Sequence, residues 1–368
     1  MMRTPNVDVT IVGSGWAAGE IQKMAKYKAG IIGLGFIGAA DQVSGDALGQ
    51  LVEDLDGTHL VSLENHPDVE VVAGSSRDEG RRERFAARTG ARTYADWREM
   101  VEDEDLDIVS VATYTPAHEE VTVALAERGV RAIFCEKPVA PSVPDAERML
   151  AAVAKAGALL VFNHQRRFTT SYRRVRDHIK AGGIGELTSV NAQWPSGRLG
   201  NVGTHVFDAI YMLTGRRAEA VSATLDLAGK PDCRGDEFAD PGGWGLMRIE
   251  GGLMVTIDAA DYSKTPWDTR INGSKGRVLS RGMDFAIEYW GGETKEWTNQ
   301  DQQDSGMDVA VREIVTWLDD GTPVEPGPEE AVHVLESIIG FHASHGKNSA
   351  WVELPLQGAD REISVRMG

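Results

Sequence analysis

Short apolar runs alternating with amphipathic segments dominate the first 160 residues. Val69–Ala73, Asp107–Ala112, Arg131–Cys135 and Ala158–Phe162 are apolar almost throughout, as strands buried on both faces are. Between them, Arg81–Thr89, Glu119–Arg128 and Ser142–Lys155 read as helices, the last two stopped by Gly129 and Gly157 and the last opened by Ser142 as a cap. Strand and helix in strict alternation predict a doubly wound parallel sheet. Two segments compete for its first strand: Val7–Val12 before Gly13-Ser14-Gly15, and Ala29–Ile32 before Gly33-Leu34-Gly35-Phe36-Ile37-Gly38. They lie too close for both to open a βαβ unit of about 30 residues. The second has the G-x-G-x-x-G spacing and is preferred. Residues 1–28 then form an N-terminal extension, with Met24 standing where an initiator would. The acidic stretch 39–57, containing Asp41, Asp46, Glu53, Asp54 and Asp56, is read as an insertion in the first crossover, with a helix resuming at Thr58-His59-Leu60.

The rhythm changes after residue 163. Trp244–Glu250, the Gly251-Gly252 turn and Leu253–Ala259 make a hairpin in which Leu253, Val255 and Ile257 share one face. Further strands are expected near 277–279 and 285–290, and helices near 171–181, 204–213, 307–319 and 328–344. The expected architecture is α/β: an N-terminal Rossmann domain, residues 29–163, followed by a C-terminal α+β domain, residues 164–368, with a mostly antiparallel open sheet.

The formal net charge of −18 offers no basic stripe to phosphates, which argues against nucleic acid. No apolar run reaches the roughly 18 residues of a membrane helix. Two cysteines, Cys135 and Cys233, build neither a disulfide framework nor a zinc site, and a cytoplasmic location fits best. His342 and His345 have helical spacing but no third ligand, so no metal is expected.

The glycines carry the first chemistry. Gly33 permits the tight turn, Gly35 lets the backbone approach a pyrophosphate, and Gly38 lets helix and strand pack; Phe36 and Ile37 complete the loop. An NAD-binding domain usually ends its second strand in a carboxylate that grips the ribose hydroxyls. This chain has Gly74-Ser75-Ser76-Arg77 there instead. Hydroxyls and a guanidinium suit a 2′-phosphate, so NADP(H) is favoured, with NAD(H) the alternative.

At the end of a later strand stand Glu136-Lys137-Pro138, where ligands of open α/β sheets bind. The glycine turn, this triplet, Thr115-Pro116-Ala117-His118, Arg166-Arg167-Phe168, Gly203-Thr204-His205 and Trp351–Pro355 occur in one order. That ordered set, spanning about residues 28–355, resembles the Gfo/Idh/MocA family of glucose–fructose oxidoreductase and inositol dehydrogenase. The resemblance implies hydride transfer between a nicotinamide and a secondary alcohol or ketone of a sugar or cyclitol. It implies that Lys137 touches substrate and cofactor, that His205 is the acid–base, and that Thr113, Pro116, His118, Glu136 and Arg166 line the cofactor site. It implies a cis bond before Pro138 and a homodimer or homotetramer. Imidazole titrates near the working pH, and a protonated Lys137 stabilises developing alkoxide charge. The family's catalytic aspartate aligns with Asn201, which positions a hydroxyl but cannot act as a base. Arg198 and Trp194 are further candidates for substrate contact. Two other readings stay open: a relative that cleaves glycosides through transient oxidation by bound NAD, and a non-catalytic dinucleotide-binding regulator.

Overall fold

The computed structural model describes residues 25–47, 57–195, 197–228, 235, 237–260, 266–298 and 304–367. Residues 1–24 of the expected extension 1–28 and residues 48–56 of the expected insertion lie outside the described residues, and Tyr27 and Lys28, counted with the extension, open the first strand.

The first sheet holds β1 (Tyr27–Ile32), β2 (Val69–Ser75), β3 (Arg92–Tyr94), β4 (Ile108–Val111), β5 (Ala132–Cys135) and β6 (Leu159–Phe162) in the order β3-β2-β1-β4-β5-β6, parallel throughout. The strand order reverses between β1 and β4, so a crevice opens beyond their carboxyl ends. The first crossover is broken as its sequence implies. α1 (Phe36–Ala39) is a single turn, ended by Ala40 in a left-handed conformation (φ 53°). α2 (Gln42–Ala47) follows, and α3 (His59–Glu64) resumes the path, its first amides capped by Thr58. The insertion is tied down at its start. Asp41 is buried and takes both arms of Arg84, at 2.7 and 2.8 Å, from α4 (Glu79–Thr89). α5 (Trp97–Asp103), α6 (His118–Glu127) and α7 (Val143–Ala156) complete the layer.

The chain then runs through α8 (Thr170–Lys180), β7 (Leu187–Gln193), α9 (Thr204–Thr214), β8 (Ala218–Asp226), β9 (Gly242–Ile249), β10 (Leu253–Ala259), β11 (Asp268–Gly273), β12 (Gly276–Arg281), β13 (Asp284–Tyr289) and β14 (Thr294–Trp297). α10 (Gly306–Asp320), α11 (Glu329–Gly346) and β15 (Val352–Glu353) close it. The second sheet has the order β14-β13-β12-β11-β7-β10-β9-β8-β15 and is antiparallel except for the β7–β10 pair. The β9–β10 hairpin forms with Leu253, Val255 and Ile257 buried, and Gly251 and Gly252 take the positive φ its turn needs. β7 and β8 escape a pattern reading because their inward positions are largely small residues, Ala192, Ala218, Ala220 and Ala223 among them.

α10 belongs to the second half of the chain yet packs on the first sheet. Its Met307, Val311 and Ile314 share a core with Leu60, Phe134 and Val161. A second core runs without a break from Val111 and Cys135 through Tyr172 and Phe207 to Phe341, so both sheets rest on common packing.

Candidate active site

The three glycines of the turn differ in what surrounds them. Gly33 has φ +100°, and a Cβ there would lie 2.4 Å from the Ala112 carbonyl oxygen. A Cβ on Gly38 would lie 1.9 Å from the Gly33 oxygen, so α1 meets β1 with no room for a side chain. Gly35 is different: its nearest obstacle is the Arg81 Nη1, at 3.9 Å, which leaves the backbone open to a ligand. Phe36 is buried beneath the turn while Ile37 stays exposed. At the end of β4 the Thr113 hydroxyl is buried without a partner. An open glycine backbone beside an unsatisfied hydroxyl fits a dinucleotide.

The tip of β2 is ordered by its own polar groups. Ser75 is buried and its carbonyl accepts the Gly33 amide at 2.9 Å. Ser76 Oγ accepts the Asp78 amide, and the Asp78 carboxylate caps α4 by accepting the Arg81 amide at 2.8 Å. That carboxylate is committed to the helix. Arg77 reaches across to the Tyr114 hydroxyl at 2.9 Å. Two guanidiniums, Arg77 and Arg81, therefore flank the turn; Arg81 and Tyr114 carry no motif that marks them in sequence.

Glu136-Lys137-Pro138 follow β5, with the Lys137–Pro138 bond cis. Glu136 is buried and accepts from His59 Nε2 at 3.0 Å, Asn163 Nδ2 at 2.6 Å and the Lys137 amide at 3.2 Å. Burial works to raise its pKa, but His59, Lys137 and Asn163 outweigh it and hold the carboxyl at about 2. The ionised carboxylate only accepts, so His59 Nε2 carries a proton, while its Nδ1 lies 3.0 Å from Ser110 Oγ. Glu136 thus positions Lys137 from below. His118 does the same from the side. Buried, with its pKa lowered by that burial, it spans the Pro138 carbonyl at 2.9 Å and the Thr113 carbonyl at 3.1 Å. Both its ring nitrogens face backbone carbonyl oxygens and the neutral ring donates to only one of them, so it shapes this loop from within.

Asn201 and His205 come from the entrance to α9, where a π-helical turn, Leu199–Gly203, runs into the helix. Such turns recur at functional sites. Arg198 stands before it with φ 58°. Asp240 fixes the turn, accepting the Gly200 amide at 2.6 Å and the Asn201 amide at 2.7 Å. Lys137 Nζ donates to the Asn201 carbonyl at 3.1 Å and lies 3.5 Å from its Oδ1. One turn on, His205 is half-buried and its Nδ1 has no partner. Its pKa sits well below the ordinary imidazole value, first through burial and then through the charges of Lys137 and Arg166 and the nearby His164. The ring is neutral at physiological pH and competent to accept a proton. Beneath it, His164 bonds Thr204 Oγ1 at 2.9 Å and faces Asp208 at 3.3 Å, and Arg167 donates to Asp208 at 2.6 Å.

Two candidates sit elsewhere than their sequence context implied. Trp194 is fully buried against Phe207, donating to the Gly197 carbonyl at 2.6 Å, and presents no wall to a substrate because packing consumes both of its faces. Arg166, taken for the cofactor, lies against Tyr172 and over the Trp267 ring at 5.6 Å, in the cleft that His205 lines. His345 caps β8, accepting the Leu225 amide at 3.1 Å, and no group of metal ligands forms among the described residues.

Residues 27–164 match an oxidoreductase family with an NAD-binding Rossmann fold, and residues 172–279 match the GFO/IDH/MocA C-terminal domain. A myo-inositol 2-dehydrogenase of Thermotoga maritima is 26% identical over 267 residues, 68% of this chain and 74% of that one. An inositol 2-dehydrogenase of Salmonella paratyphi B is 30% identical over 167 residues, 45% of each chain. A levoglucosan dehydrogenase solved with NADH and levoglucosan superposes with a TM-score of 0.73 at 19% identity, covering 89% of this chain and 99% of that one.

Proposed function

The chain belongs to the Gfo/Idh/MocA oxidoreductase family, and from that premise we propose that it moves a hydride between NADP(H) and a secondary alcohol or ketone of a sugar or cyclitol. The observation that carries the reaction is the meeting of Lys137 with the Asn201 turn one helical turn from a neutral, unpartnered His205. Bound over Gly33–Gly38 and Thr113, a nicotinamide nucleotide supplies the hydride acceptor or donor. In oxidation His205 takes the hydroxyl proton as the carbinol hydride departs, and the Lys137 ammonium stabilises the developing alkoxide. Asn201, in the place of the family's aspartate, orients the hydroxyl through its amide while Asp240 holds its backbone still. The names of the relatives, myo-inositol and levoglucosan dehydrogenases, support a polyol substrate.

The choice of NADP(H) rests on the β2 tip: the strand ends at Ser75, Ser76 and Arg77 follow, the Asp78 carboxylate after them is spent on capping α4, and Arg81 lies near Gly35. Parallel fluorescence titrations with NADPH and NADH test it. Tighter NADPH binding is the expected result. Tighter NADH binding keeps the oxidoreductase and discards the phosphate argument. Binding of neither, with no nucleotide released on denaturation, overturns the whole reading.

A further inference from the structure

Beyond β15 the chain leaves the second sheet and runs, as residues 356–367, to the first domain. It sets out from α11, where the Leu356 amide donates to Glu336 Oε1 at 2.8 Å. Arg361 pairs with Glu147 of α7. The Val365 amide donates to the Pro141 carbonyl at 2.9 Å, on the loop from β5 to α7 that carries Lys137. The segment then reaches the π-helical turn at the entrance to α9. Met367 is fully buried and shares a core with Val365 and Leu199. A Cβ built on Gly200 would lie 2.2 Å from Met367 Sδ and 2.7 Å from its Cβ, so the methionine fills the space that a side chain at 200 would need. Residues 239–241 tie the segment to the same turn a second time. The Ala239 amide donates to the Arg366 carbonyl at 3.0 Å, the Pro241 carbonyl accepts the Leu199 amide at 3.0 Å, and the Asp240 carboxylate takes the Gly200 and Asn201 amides. One short segment is therefore joined both to the loop of Lys137 and to the turn of Asn201.

Resting on the oxidoreductase reading, we propose that Met367 is a positioning residue for the reaction: through Gly200 it holds the Asn201 carbonyl where the Lys137 ammonium donates to it, at 3.1 Å. Gly200 brings no side chain to this packing, so its place is set by what is pressed against it. Protein interiors are close-packed, and even a lost methylene is felt by its neighbours. The tie at Pro141 makes the segment a brace between the two halves of the site rather than a plug under one of them. Lys137 acts on alkoxide charge that exists only in the transition state, so a displaced turn lowers turnover and leaves binding alone.

Met367→Ala, Met367→Leu, Gly200→Ala and the double variant Gly200→Ala/Met367→Ala of the full chain test this with two readouts. The first is steady-state kinetics with NADP+ and whichever of a panel of cyclitols and pyranoses, myo-inositol and levoglucosan among them, the native protein oxidises fastest. Met367→Ala should lose about 10–100-fold in kcat, the scale of a misplaced catalytic group, with KM and NADPH affinity within about threefold of native. Met367→Leu, of similar volume, should bring kcat back to within about threefold. Gly200→Ala should fail as Met367→Ala does, because its methyl group collides with the methionine. The double variant should turn over faster than Gly200→Ala alone, because the collision is gone. The second readout is amide hydrogen exchange: in Met367→Ala the peptide over 198–203 should exchange at least about tenfold faster than in the native protein, while the peptide over α6 is unchanged. Native kcat in Met367→Ala would overturn the proposal, as would a loss of kcat with unchanged exchange at 198–203 or a double variant no faster than Gly200→Ala. An equal loss of NADPH affinity would mark a general loss of structure and overturn it too. No turnover of any polyol by the native protein would overturn the oxidoreductase reading and the positioning role with it.

Discussion

His59 shows what one side chain does here without touching the chemistry. It lies fully buried against Phe134, and its Nε2 is one of three donors to the Glu136 carboxylate beneath Lys137. His59→Leu leaves that buried carboxylate short of a donor, which should cost about 2–3 kcal/mol in urea unfolding. His59→Gln, which can still donate, should recover part of it; equal losses in both would mean that ring packing, not the hydrogen bond, matters. Lys137→Ala should cut turnover by about 10²–10³-fold, the range for removing a preorganised donor from developing charge, with NADPH affinity changed only a few-fold. Full activity in that variant would remove Lys137 from the mechanism. Lys137 and His205 were legible in the sequence because motifs announce them. His59, Ser110 and Asn163 were not, because they meet only in space: His59 and Asn163 on the buried Glu136 carboxylate, Ser110 on His59, and His59 stands 77 positions from Glu136. Trp194 misled for the converse reason: an aromatic at a strand end looks the same in sequence whether it faces a cleft or the core.

Among the elements, the turn from β2 into α4 and the single turn of α1 decide which nucleotide binds and how. Gly38→Ala places a methyl group 1.9 Å from the Gly33 oxygen, so α1 must lift off β1. Cofactor binding should then be lost in fluorescence titration, while far-UV circular dichroism, dominated by helices elsewhere, changes little. Retention of NADPH affinity in Gly38→Ala would show that the close approach is dispensable. Arg77→Asp removes a guanidinium and places a carboxylate where a 2′-phosphate would lie. NADPH affinity should fall about 10–100-fold and NADH affinity stay within about threefold, the scale of one charge-assisted hydrogen bond. An equal fall for both nucleotides would mean that Arg77 serves the fold through Tyr114 rather than the phosphate. Elements with strong periodicity, such as α7 and the β9–β10 hairpin, emerged from the pattern alone. The three-residue β3 and the small-residue β8 needed neighbours to exist: β3 pairs only with β2, and β8 is covered by α11 and bonded to β9.

For the molecule as a whole, burial of imidazoles links the fold to pH. His118, His164, His205 and His342 are each pushed below the ordinary value of 6.5, in every case chiefly by burial, His342 to about 4. In the unfolded chain they protonate near 6.5. Below that pH the unfolded state binds more protons than the folded one, so stability is complete above it and falls as pH drops. Glu136 acts in the same direction at lower pH. Its carboxyl, held at about 2, adds stability that is present above its ordinary 4.5 and is lost as pH falls toward 2. The free energy of unfolding should therefore be flat above about pH 7.5 and decline below 6.5. Each ring that stays neutral in the folded state while the unfolded chain protonates contributes up to about 1.36 kcal/mol per pH unit to that decline. Urea unfolding between pH 5 and 8 measures that slope directly. His342→Phe, which removes one titrating group remote from Lys137, should reduce it by about one proton. A decline of less than one proton in the native protein would mean that the folded state opens to protonate these rings, and the neutral His205 on which proton abstraction depends would lose its physical basis.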